Sequence, residues 1–306
     1  MKKILCLCLS PTIQRTLYFE DLKMQNVNRS KFYIENASGK AVNSSRVLNQ
    51  IKKNCSSVIC PIGKKNSFRF MSLCKKDGLK IIPLKIPGLV RECWTLVGKK
   101  NSSTTEIVCD ENFSDLDFKN EEKNLLKVIK NQIKKYDAFL FAGSKPKYFS
   151  ENLILEIAKI VKSSKKIFMA DFWGPSLFKA IEGAIPEIIK INETEFIGTF
   201  SENPLFEEDL KSLVIQKSAV LNNIIIVTRG EKSTFAGVKG KFFEEPIRNC
   251  KKIVNTTACG DSFNSGFLYE FLKSKNIEKA LKKGTKCASL NAESLVPGSL
   301  YPFLED

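Results

Sequence analysis

The chain has 306 residues, 43% hydrophobic and 27% charged, ordinary proportions for a folded core that argue against disorder. Its 49 Lys and Arg outnumber 33 Asp and Glu for a formal charge of +16, but the lysines fall in short pairs such as Lys52-Lys53 and Lys282-Lys283, so a solvated face is expected rather than a nucleic-acid surface. There is no histidine, which excludes Ser/His and Cys/His catalysis and the usual Cys/His zinc patterns, so any general base must be Asp, Glu, Lys, Tyr or Cys.

From the N-terminus, Ile4 to Leu9 is an apolar run too short for an export signal and followed by no small-residue cleavage site, so it reads as a buried first strand. No stretch approaches the ~20 apolar residues of a membrane helix. The ten cysteines are scattered, and none forms a C-x-x-C pair; reduced, mostly buried thiols of a cytoplasmic protein are expected. Farther along, strand-like runs at 136–142, 166–171, 188–191 and 224–228 alternate with helical patterns at 121–135 and 153–161. This order predicts a largely parallel sheet covered by helices. Two regions break the alternation, Thr12 to Ile34 and Leu89 to Cys109, where 91–95 and 104–108 resemble exposed antiparallel strands joined by the turn-rich loop Gly98 to Ser103. They are expected to form a small sheet standing off the core.

Four motifs can carry chemistry. In Asn255 to Phe263, small residues lead into Gly260-Asp261 and a helix with Phe263, Phe267 and Phe271 on one side. Bare amides and the positive end of a helix suit an anion there, and Asp261 can accept a proton from an attacking hydroxyl; equally, it can cap the helix. In Ala37 to Asn43, Gly39 allows close approach while Lys40 and Asn43 offer a cation and an amide, although such a turn is also common before any helix. Asn192 and Glu195, at a strand end, can hold water around Mg2+ or form a capping box. Thr228-Arg229-Gly230 runs a strand into a turn where a parallel sheet binds nucleotides, and there is no Walker-type loop.

In order and spacing these pieces resemble the ribokinase-like, or PfkB, carbohydrate kinases, and within them the branch of 1-phosphofructokinases and tagatose-6-phosphate kinases. Ser38 to Asn43 is similar to the family's Gly-Gly-Lys-Gly-x-Asn stretch, Asn192 and Glu195 match Asn-x-x-Glu, and Ala258 to Ser262 looks like G-A-G-D-S; the likeness runs from Leu9 to about Pro297. The resemblance implies one three-layer α/β/α domain over 1–306, with a mostly parallel sheet and a small β-sheet lid from about 12–35 and 89–110. It implies an ATP- and Mg2+-dependent kinase of a hexose phosphate. Asp261 would be the base, with Ala258, Cys259 and Gly260 as the anion hole. Gln14, Gly39, Lys40, Asn43, Arg91 and Ser144 would contact the sugar. Asn192, Glu195, Thr228, Gly230 and Asn291 would line the nucleotide site, with Asn192 and Glu195 also holding Mg2+ through water. Partners would be the sugar or sugar phosphate and ATP, with a homodimer through the lid and no nucleic acid or membrane. Gln14 stands where the branch carries a sugar-gripping Asp, and Cys259 where it carries Ala. A kinase of an unphosphorylated sugar or nucleoside, or a catalytically weak sugar-phosphate binder, is the alternative.

Overall fold

Alternation along the first strand shows how the core is divided. In the computed structural model, which describes residues 2–100, 103–109, 117–201, 203 and 206–301, β1 (Ile4–Leu7) is wholly buried. Leu5 and Leu7 pack into one hydrophobic cluster and Ile4 and Cys6 into another. A strand buried on both faces has no polar side, which is why this run reads as continuously apolar.

The chain continues through β2 (Thr12–Phe19), β3 (Tyr33–Ser38), α1 (Lys40–Ile51), β4 (Ser56–Gly63), α2 (Ser67–Lys76), β5 (Ile81–Ile86), β6 (Arg91–Gly98) and β7 (Ser103–Val108). After α3 (Lys119–Gln132) come β8 (Ala138–Ala142), α4 (Leu153–Ser163), β9 (Ile167–Asp171), α5 (Pro175–Gly183), β10 (Ile188–Asn192), α6 (Glu193–Phe200), α7 (Glu207–Val220) and β11 (Ile224–Arg229). The hairpin β12 (Lys232–Val238) and β13 (Lys241–Glu245), then α8 (Cys259–Ser274) and α9 (Ile277–Ala292), follow.

Nine strands form one sheet in the order β13-β12-β11-β10-β9-β8-β1-β4-β5, with every neighbouring pair parallel except β11–β12 and β12–β13 at one edge, which are antiparallel. Residues of α3 to α7 contribute to the cluster on one face, and residues of α1, α2, α8 and α9 to the cluster on the other, giving three layers. On α8, Phe263, Phe267 and Phe271 stack in a row with ring centroids 6.1 and 5.8 Å apart, the fourfold spacing placing them on one side of the helix.

The two regions that broke the alternation make a separate four-stranded sheet, β3-β2-β6-β7. β6 and β7 pair antiparallel as their sequences suggest, but β6 runs parallel to β2. The intervening chain crosses through α1, β4, α2 and β5, and only such a crossover returns a strand in the same direction. β3 extends to Ser38, past the expected lid boundary, while positions 101, 102 and 110 of the expected loop and lid lie outside the described residues. Arg69 of α2 ties this sheet to the core through ion pairs to Glu35 on β3 and Glu92 on β6, both of which also pair with Arg15 on β2.

Candidate active site

From β1 the sheet grows to one side through β4 and β5 and then to the other from β8 onward, and such a switch opens a crevice at the carboxyl ends of the strands. A cavity of about 760 Å3 lies there, between the small sheet and the start of α8. Its wall holds Gln14 and Arg91 from the small sheet, Gly39, Lys40 and Asn43 from the start of α1, and Asn192, Glu195, Thr228 and Gly230 from the ends of β10 and β11 and the residues that follow them. Ala258, Cys259, Gly260 and Asp261 complete it, and Ile247, Ile253, Ala288 and Ala292 give it an apolar end.

Asp261 occupies the third position of α8, not its cap. The cap is Ala258 in the left-handed conformation, φ 68° and ψ 12°, with no side-chain cap bond. The Asp261 side chain is turned instead toward α1, where Asn43 Nδ2 donates to Oδ2 at 2.9 Å. Burial raises its pKa to about 6, with the nearby negative charge of Asp171 adding to the rise and Lys40 and Asn43 opposing it. The first bond of α8 is Ser262 N donating to Ala258 O at 2.9 Å, so the amides of Gly260 and Asp261 have no carbonyl one turn back within the helix. The Cys259 amide, expected in the anion hole, here turns back to the Thr256 carbonyl at 3.2 Å.

Two charged residues to which the sequence assigned no role organise this wall. Asp171, at the end of β9 and fully buried, accepts from Lys40 Nζ at 3.2 Å and Asn264 Nδ2 at 2.6 Å, and lies 3.5 Å from Lys190 Nζ. Burial alone would raise its pKa, but Lys190 and Lys40 prevail and hold it down at about 2. Lys40 sits 3.5 Å from Glu195 Oε1 as well, and its pKa is raised, chiefly by Asp171. Lys190 lies so close beneath the α8 turn that a Cβ on Gly260 would come within 2.8 Å of its Nζ. A lysine inside an apolar strand such as Ile188 to Ile191 must find a counter-charge, and that was the available signal.

Asn192 and Glu195 do form the capping box of α6: Asn192 N donates to Glu195 Oε2 at 2.9 Å and Glu195 N to Asn192 Oδ1 at 2.8 Å. This occupies one oxygen of each side chain; the other Glu195 oxygen, Oε1, is the one paired with Lys40, and both residues line the cavity. Gly39, φ 116°, is required where it stands, because a Cβ would meet Cys8 Sγ at 2.6 Å. The Arg91 Nε is buried without a hydrogen-bond partner. Gln14 donates from Nε2 to Thr95 Oγ1 and accepts at Oε1 from Ser38 Oγ, both at 2.6 Å.

Two expected contacts lie off the cavity wall. Ser144 is exposed, and its carbonyl accepts from Ser10 Oγ at 3.2 Å. Asn291 is fully buried behind the wall; it donates to Thr257 O at 2.8 Å and to Cys259 Sγ at 3.3 Å, and accepts from Gly298 N at 2.7 Å. Its amide is thus spent bracing the turn before α8, and the surface beside the cavity comes from Thr285, Ala288, Ser289 and Ala292 of the same helix. Burial also lifts the Cys259 thiol to about 11, so it stays protonated at neutral pH.

Among curated proteins, the chain is 27% identical over 298 residues to a tagatose-6-phosphate kinase of Staphylococcus epidermidis, spanning 94% of this chain and 92% of that one. Phosphofructokinase-2 from Escherichia coli, solved with potassium, superposes with a TM-score of 0.86 at 14% identity, covering 98% of this chain and 96% of that chain. A possible 1-phosphofructokinase from Thermotoga maritima gives 0.85 at 19% identity, covering 98% and 94%. At such identities these two structures demonstrate a shared fold. Residues 1–302 match the profile of the pfkB family carbohydrate kinases, and on that match the chain belongs to this family.

Proposed function

We infer that the protein transfers the γ-phosphoryl of Mg·ATP to a hydroxyl of a hexose phosphate, as 1-phosphofructokinases and tagatose-6-phosphate kinases do, with Asp261 as the base. The observation that carries this reading is the buried Asp261 carboxylate on a cavity wall that also bears unbonded amides at the start of α8 and, from the small sheet, Arg91.

In the reaction the sugar hydroxyl gives its proton to Asp261 as its oxygen bonds to the γ-phosphorus. The bond from that phosphorus to the β,γ-bridging oxygen breaks, and ADP leaves. The Gly260 and Asp261 amides, the positive end of α8, and Lys40 and Lys190 near it favour the charge on the transferring group. Arg91, whose Nε lacks a partner within the chain, would take the phosphate the sugar already carries.

Among the described residues no three carboxylates or thiols cluster as a direct metal site, but Asn192 and Glu195 both line the cavity. They would hold Mg2+ through water, where it would neutralise phosphate charge. The small sheet would act as a lid over the sugar within a single domain, and a homodimer through its other face belongs to the same reading. A cytoplasmic setting fits an ATP-using enzyme whose cysteines are unpaired.

The test is an ADP-release screen over fructose 1-phosphate, fructose 6-phosphate and tagatose 6-phosphate. Turnover of one of them is expected, with Arg91→Ala raising its KM at least about tenfold while the KM for ATP holds. Turnover confined to unphosphorylated sugars or nucleosides, or an indifferent Arg91→Ala, overturns the hexose-phosphate assignment.

A further inference from the structure

An amide side chain has one donor end and one acceptor end of nearly equal shape, and only the donor end suits a carboxylate. Asn43 presents Nδ2 to Asp261, and what fixes that choice lies on its far side. Arg46, one turn along α1, places Nη1 3.0 Å from Asn43 Oδ1, and Ser38 Oγ lies 3.1 Å from the same oxygen. A guanidinium has five N–H donors and no acceptor, so the end of Asn43 that meets it must be oxygen.

Arg46 is itself held fast. It is 5% exposed and off the cavity wall. Nη1 also donates to Pro297 O at 3.1 Å, Nη2 donates to Ala37 O, and Nε and Nη2 donate to Asp77 Oδ2 at 3.0 and 2.9 Å. It thus gathers the end of β3, the turn after α2 and the segment after α9 around one planar group.

We propose that Arg46 is a positioning residue for phosphoryl transfer, fixing the Asn43 amide so that its N–H, and not its carbonyl, meets the Asp261 carboxylate. The proposal rests on Asp261 being the base. The charged or titratable groups around Asp261 are Asp171 from β9, Lys40 and Lys190, with the Cys259 thiol nearby; Asp77 faces Arg46. None of these can replace the neutral donor that Asn43 supplies. With Arg46 gone, the amide is free to turn its carbonyl toward Asp261, where lone pairs face a carboxylate and the protonated, inactive acid is favoured.

The test is the pH dependence of kcat/KM in Asn43→Ala, in Arg46→Lys and in the two combined. A lysine keeps a positive charge beside Asp77 but cannot span all four oxygens from one nitrogen. Each single variant is expected to move the acidic limb up by about one pH unit. For Arg46→Lys that is about a fivefold loss at pH 6 that disappears above about pH 8, whereas Asn43→Ala, which also removes an expected sugar contact, adds a loss that is the same at every pH. The combined variant should move it no further. Where Arg46→Lys folds poorly, Arg46→Met with Asp77→Met removes both charges together, leaves neither alone in the interior, and should give the same displaced limb. An unmoved limb in a folded Arg46 variant, an equal loss at every pH in that variant, or additive shifts in the combined variant would overturn the proposal. If instead Asp261→Asn turns over sugar as fast as the wild type, it is the assignment of the base that fails.

Discussion

Asp261 is 6% exposed, and its proton is held up to about pH 6 by burial and by the negative charge of Asp171. The same carboxyl in an unfolded chain titrates near 3.8, so the folded protein binds this proton more tightly. Its contribution therefore favours folding fully below about pH 4 and is lost as the pH rises through 6. Near neutrality the ionised group costs about 2 to 3 kcal/mol of stability. Asp261→Asn should remove that cost: urea unfolding at pH 7.5 should show a more stable protein, the gain vanishing near pH 4. The same variant should lose about 10²- to 10⁴-fold in kcat, the usual worth of a positioned base. In the wild type, kcat/KM should fall below about pH 6, where the free enzyme's base becomes protonated. At this scale the sequence announces Asp261 and Lys40 because each sits in a motif of small residues. Asp171 and Lys190 escape because each merely interrupts or ends an apolar strand, and their partnership spans two separate strands. Asn291 lies behind the wall for a related reason: a family motif does not say whether a buried amide faces the cavity or the turn behind it.

Elements add a second kind of evidence, since one local motif can serve both stability and chemistry. The box formed by Asn192 and Glu195 caps α6, and its spacing fits capping and a water-held Mg2+ equally well. Substitution separates the two. Asn192→Ala should lose about 1 kcal/mol of stability through the missing cap. Asn192→Ser keeps an oxygen for the Glu195 amide and should leave the Tm near wild type. Both variants lack the Asn192 amide nitrogen, and both should raise the KM for Mg·ATP. A KM unchanged in the serine variant would mean that this motif is a helix cap and nothing more. The start of α8 shows the limit of local reading, because Asp near a first turn commonly caps a helix. Here Ala258 takes the left-handed cap position and the carboxylate is left to Asn43, a contact across 218 residues that no local pattern encodes.

For the whole molecule, the small sheet is the part whose role depends on what covers it. Gln14, Cys93 and Thr95 point to the cavity side, and strand alternation puts their neighbours on the other face. There Leu17 is the cross-strand partner of both Tyr33 and Leu96, and Trp94 is the partner of Ile107. Tyr33 is 61% and Ile107 48% exposed, so beside the Arg15, Glu35 and Glu92 ion pairs this face carries an apolar patch of the kind that marks an interface. Sedimentation should therefore report a dimer, and Ile107→Lys should shift it toward monomer without abolishing ATP binding. A wild-type chain sedimenting only as a monomer would remove the lid-mediated dimer from the reading.

The sequence by itself determined the alternation of buried strands and helices, the two segments that leave it, and the family motifs in which the proposed base, anion turn and nucleotide side lie. It could do so because each is written in short-range spacing: continuous apolar runs for strands buried on both faces, fourfold repeats for helices, small residues where backbone must meet an anion. Only the tertiary structure decided the parallel pairing of β2 with β6, the pairing of Asp171 with Lys40 and Lys190, and the Arg46 fork behind Asn43. Those depend on which side chains a crossover brings together and on charges that must be neutralised once water is excluded, and neither is fixed by neighbours along the chain.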